Sequence, residues 1–267
     1  MIVITSFLLP GAKGQDTFLS YQTGIENLFK RLSGTHNDEY KKAVNDSLCI
    51  LVEKYASSPY VFTRTFNDLK YLGQITSPDS AVKILTWNLI FNNWIYRYYC
   101  YFIKRDGSSA VKVFRLEGSG IKNRVRTDTT YSRSDWYGAL YYDIRPFISG
   151  KELHYLIIGL DYNNLLVTRK FIDVLTFDPA VGPVFGKKCL LNGMDLKYRE
   201  VFEYTSGAVM TLRFITDSTV VFSHLSRFNA GMPDLPQFYG PDHSYDSYKF
   251  SNGLWRLESD IDIRNKE

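Results

Sequence analysis

The sequence predicts an α+β protein, predominantly antiparallel β, with a helical hairpin at its N-terminal end. Three observations carry this. Twenty Tyr, eighteen Phe and four Trp in 267 residues favour pleated, half-buried surfaces. Apolar residues repeat at helical spacing up to Tyr55 and at period two from Tyr60 onward. Asn, Asp and Gly then punctuate the chain at strand-length intervals.

In order, the first segment is "MIVITSFLLPGAKG", an apolar run from Ile2 to Leu9 followed by Pro10 and small residues. It reads as a secretory signal cut before Gln15, although no Lys or Arg precedes the run; a chosen start downstream of the true one explains that. The first helix is predicted over "SYQTGIENLFKRLSG", where Tyr21, Ile25, Leu28, Phe29 and Leu32 share a face and Gly34 supplies a stop. The second starts at the N-cap Asn37, with Asp38 and Glu39 suiting the positive end of its dipole, and carries Tyr40, Val44, Leu48, Leu51 and Tyr55 before Pro59. The organisation is therefore 1–14 signal peptide, 15–59 two-helix segment and 60–267 β-rich domain.

Hairpin turns are predicted at Asp106-Gly107, Asn163-Asn164, Asn192-Gly193, Thr216-Asp217-Ser218 and Asn252-Gly253. "YLIIGL" is apolar throughout and reads as a central strand, whereas Glu200, Glu203 and Arg213 mark a wet face around "REVFEY". The sheets form a sandwich or barrel-like meander; a partial propeller is the lesser alternative, because no ~40-residue period recurs. Glu117 to Trp136 lacks any period and reads as a long functional or mobile loop.

A formal charge of +4 on 60 charged side chains is too weak a field to imply nucleic acid. No run after the first approaches a membrane span. Cys49, Cys100 and Cys189 are far apart, with no paired spacing for zinc or redox work. "GPVFGKK" has the wrong spacing for a phosphate loop and carries Pro where backbone N–H groups would be needed, so it reads as a strand opening.

Candidate chemistry centres on "YGPDHSYDSYKFSNGLW", Tyr239 to Trp255. Asp242, His243 and Asp246 are candidate ligands for a divalent cation, although Pro-Asp and Ser-Tyr-Asp are also turn formers whose carboxylates serve their own backbone. No other cofactor is implied. Acid–base candidates for a hydrolase are Asp242, Asp246, His224 and Glu203. Trp136, with the basic loop around Lys122, Arg124, Arg126 and Arg133, is the candidate ligand-binding surface, and all four tryptophans bear on whether an exposed ring can stack on a sugar.

"WYGALYYDI", "YLIIGLDYNN", "KFIDVLTF", "REVFEYTSGAVMTLRF" and "YGPDHSYDSYKFSNGLW", with "ITSPDSAVKILTWN" before them, resemble an uncharacterised family of exported proteins from Bacteroidota over roughly Asp68 to Asn265. The resemblance implies export and a β-rich body behind a variable helical front; it transfers no catalytic residue. The function expected is a non-enzymatic binding or interaction module of the cell envelope, in the periplasm, at the outer membrane or secreted, whose partner is a glycan, a peptide or an envelope protein. The alternatives are a hydrolase, which requires two acid–base groups converging in a cleft, and an assembly subunit, which requires a large exposed apolar patch.

Overall fold

A computed structural model of the chain describes residues 10–107, 110–119 and 125–262. Among the described residues, two α-helices, α1 (Pro10–Ser33) and α2 (Asp38–Ala56), precede fifteen strands. The Asn37 side chain caps α2 by accepting the Tyr40 N–H at 2.8 Å, as its position in the sequence demands. Helix α1 runs continuously through the expected cleavage point between Gly14 and Gln15, while most of the proposed signal lies outside the described residues.

The strands form three antiparallel-dominated sheets. The first runs β1 (Gly73–Thr76), β2 (Val82–Phe91), β3 (Ile95–Asp106) and β4 (Ala110–Ser119) in that spatial order. The second has the order β11 (Glu200–Thr205), β7 (Val167–Asp178), β6 (Glu152–Asp161) and β5 (Leu140–Ser149), with β8 (Gly182–Phe185) also on β7. The third is β10 (Asp195–Lys197), β9 (Leu190–Asn192), β15 (Leu254–Glu258), β14 (Tyr239–Ser251), β13 (Thr219–Arg227) and β12 (Leu212–Thr216). Strands β15 and β9 pair in parallel; the other pairs are antiparallel.

Strand alternation explains how these parts stack. Trp87 and Leu89 on β2, with Tyr99 and Tyr101 on β3, join a core with Ile25, Phe29, Leu48 and Val52 of the helices. The alternate residues Val82, Ile84, Tyr98, Cys100 and Phe102 join Tyr155, Ile157, Phe171 and Leu175 of the second sheet. Those strands in turn send Leu156, Ile158, Ile172 and Val174 to the third sheet, against Leu212, Val220, Phe222 and Trp255. The layers are thus helices, sheet, sheet, sheet, and the stacked arrangement rather than a closed barrel is present. Because β6 has both faces covered, "YLIIGL" had to be apolar throughout. Each Leu or Ile so buried contributes roughly 1.5–3 kcal/mol.

The five predicted turns fall between β3 and β4, β6 and β7, β9 and β10, β12 and β13, and β14 and β15. Further hairpins include those at Asn92–Trp94 and at Gly150-Lys151, which join β2 to β3 and β5 to β6. One expectation is corrected. Glu117–Ser119 continues β4 instead of opening the loop, while Val125 to Trp136 is irregular as expected but anchored: Val125 is buried and Tyr131 exchanges both backbone hydrogen bonds with Phe185 at 2.8 Å. Among the described residues no helix is long and apolar enough to cross a membrane.

Candidate functional site

A cleft of about 700 Å³ opens where the end of α1 meets the β2–β3 turn. Its walls are Phe29 and Leu32 from the helix, Tyr71 from the connection into β1, Asn88 to Phe91 from β2, and Trp94 and Tyr162 from two turns. Trp94 is 58% exposed and Tyr71 51%. The other three tryptophans, Trp87, Trp136 and Trp255, are fully buried.

Local structure sets each ring. Trp94 ends a single 3-10 turn in left-handed backbone, φ +59°, which a bulky side chain rarely adopts. The ring of Tyr71 meets Phe29, centroids 6.0 Å apart. Below Tyr162, the buried Asp161 accepts from the Tyr98 hydroxyl at 2.7 Å and the Asn163 N–H at 2.7 Å, and the Tyr98 oxygen accepts the Tyr162 N–H at 2.9 Å. Burial holds the Asp161 carboxyl above its usual range against those bonds and Arg169. Tyr162 stacks on Tyr96, and both rings line a neighbouring cleft of about 430 Å³. Lys41 donates to the Ile90 carbonyl at 2.6 Å, and Asp38 accepts the Asn92 N–H at 3.0 Å, so α2 closes one end. Among the described residues, no carboxylate lines either cleft.

The acid–base candidates divide. His224 stands opposite a bulge in β14, where His243 has φ +74°. Its Nδ1 hydrogen-bonds the Asp246 carboxylate at 2.8 Å and its Nε2 lies 4.0 Å from Asp242. The bond to Asp246 raises the imidazole above its ordinary range. Glu203 does not join them: it faces Arg169 across the β11–β7 ladder and accepts from it at 2.5 Å. Neither cleft includes His224.

For the cation candidates, Asp242 accepts from the Ser244 N–H and hydroxyl at 3.1 and 2.8 Å, which is turn chemistry, while Asp246 also accepts the Asp260 N–H. Among the described residues, no three His, Cys, Asp or Glu side chains are grouped to hold a metal ion.

Trp136 offers no exposed ring for the binding surface expected around it. Its indole is 0% exposed and donates to the Tyr141 hydroxyl at 2.9 Å, because Gly118 and Gly138 approach closely enough to fold the segment over it. Arg126 is exposed but paired with Asp128 at 2.9 Å, and Lys122 and Arg124 lie outside the described residues. The ring that is accessible, Trp94, is signalled in the sequence only by Asn92-Asn93, a turn signal between two strongly apolar runs.

The sequence matches no family model, and no curated protein or solved structure gives a significant match.

Proposed function

We propose that the protein is a binding module without catalytic activity, exported to the cell envelope, whose ligand occupies the cleft between Tyr71, Trp94 and Tyr162. The observation that carries this reading is Trp94: an indole held half in water by strained backbone beside other accessible aromatic rings is costly unless it meets something. Among the described residues no carboxylate lines the cleft, which argues against hydrolysis there. Export is supported by the apolar run at Ile2 to Leu9 and by the resemblance to exported proteins. The test is capture of glycans and peptides from envelope extract by wild-type protein and by Trp94→Ala. Ligands that bind both equally overturn the reading. Fluorescence serves as readout, since the remaining tryptophans are buried.

A second reading, a hydrolase using His224, is favoured by one observation, the imidazole held between Asp246 and Asp242. It predicts that His224 titrates above its ordinary range and that Asp246→Asn brings it back. Turnover of an envelope substrate lost in His224→Gln would replace the first reading with this one.

A further inference from the structure

The first cleft contains an unfinished sheet edge. Strand β1 pairs with β2 only from Thr76↔Lys83 to Gly73↔Thr86, while β2 continues five residues further, to Phe91, along β3. The chain before Gly73 leaves the sheet, the Leu72 N–H turning back to the Leu69 carbonyl at 3.2 Å. The side of β2 on which β1 would have continued is therefore the side that opens into the cleft, which Asn88 to Phe91 line.

Three bonds fix which backbone groups point that way. The Val82 carbonyl accepts from the Ser77 N–H directly after β1, the Ala81 carbonyl accepts from Arg105 at the end of β3, and the Ile90 carbonyl accepts from Lys41. Residues of a strand alternate in the side to which their N–H and C=O turn, so even-numbered positions face β1 and odd ones face β3. Asn88 and Ile90 thus present their peptide groups on the vacated side, where no β1 residue reaches them. The Ile90 carbonyl is taken by Lys41 and the Asn92 N–H by Asp38, which limits the open edge to the Asn88 N–H and C=O and the Ile90 N–H.

Resting on the assignment of this cleft as the ligand site, we infer that its occupant is an extended peptide segment that adds to β2 in line with β1, antiparallel to β2. A short open edge bounded by rings is the arrangement that strand addition uses: main-chain bonds supply register, and side-chain pockets supply choice. Three main-chain bonds alone are few, so the contacts with Tyr71 and Trp94 must hold the peptide's apolar side chains. Lys41 and His36 line the cleft and, among the described residues, no carboxylate does, so the segment is uncharged or acidic rather than basic.

The experiment selects a displayed library of random dodecapeptides on the purified full chain, with soluble oligosaccharides screened in parallel by Trp94 fluorescence. The expected result is a set of peptides rich in apolar and poor in basic residues. Their binding should fall at least tenfold on Trp94→Ala and at least tenfold again when alternate peptide amides are N-methylated. Bound peptide should also slow hydrogen exchange at the Asn88 and Ile90 amides. N-methylated peptides that bind as well as their parents, or oligosaccharides alone binding in a Trp94-dependent way, overturn strand addition and leave the cleft as the ligand site. If neither library yields a Trp94-dependent ligand, both readings fall.

Discussion

Arg199 Nε donates to Asp173 Oδ2 at 2.9 Å, and both side chains are fully out of water. The pair organises the segment after β4. Arg199 also donates to the carbonyls of Arg126, Thr129 and Phe185, its guanidinium lies 4.6 Å from the Tyr131 ring centre, and Asp173 accepts the Tyr137 hydroxyl at 2.8 Å. Removing one member of a buried pair leaves the other uncompensated, at about 3–5 kcal/mol. Arg199→Met should therefore lower stability by that amount in urea unfolding, and pairing it with Asp173→Leu should recover part of the loss. A cost of the single variant below ~1 kcal/mol would show that the pair does not anchor the segment.

This pair also shows where sequence reading stops. Local patterns exposed the helix cap at Asn37, the five turns and the doubly covered strand β6, because each is set by neighbours within a few residues. Trp136 looked like an exposed loop ring because nothing near it in the chain announces its partners. Tyr141 lies five residues away, but Phe185 and the Arg199–Asp173 pair that pins the loop are remote in sequence. The candidate site divided in the same way: "GPDHSYD" was legible as turn chemistry, whereas His224 reaches it only through β13–β14 pairing. The aromatic cleft assembles from α1, β2 and the β6–β7 turn, which no single stretch displays.

Two glycines control the closure over Trp136. A Cβ on Gly118 would lie 2.5 Å from the Gly138 Cα, and Gly138 has φ +89° with its own would-be Cβ 2.8 Å from the Tyr98 ring. Backbone rather than a flexible side chain must move, so Gly118→Ala should cost more than ~2 kcal/mol. Gly207→Ala, with open space around it and no positive φ, is the control and should be within about 0.5 kcal/mol of wild type. Equal melting temperatures for the two variants would refute the close approach.

Lys83 gives the protein a pH dependence of readable sign. It is buried with neutral partners only, the Tyr55 hydroxyl and the carbonyls of Val61 and Arg64, and burial pushes its ammonium down to about 8 from 10.5. Between those values the unfolded chain keeps a proton that the folded chain has lost. The Lys83 contribution to stability therefore rises with pH across that window and is level below it. Buried thiols and tyrosines act in the opposite sense at alkaline pH, but they are common to wild type and Lys83→Met. The stability difference between the two proteins should thus shift by roughly 3 kcal/mol in favour of wild type from pH 7 to 10.5. A difference that stays flat would mean that Lys83 is solvated and titrates in the folded protein as it does in the unfolded chain.

Trp94 separates strain from burial. Left-handed backbone costs a non-glycine residue roughly 1–2 kcal/mol, and an indole 58% exposed regains only part of a buried ring's worth. Trp94→Gly removes both the strain and the ring, whereas Trp94→Ala removes the ring and keeps the strain. Glycine's greater freedom in the unfolded chain offsets some of the relief. Trp94→Gly should therefore lie within about 1 kcal/mol of wild type and above Trp94→Ala in thermal unfolding, while both lose ligand binding alike. If Trp94→Gly instead falls more than ~2 kcal/mol below wild type, the ring supports the fold and its exposure has no bearing on binding.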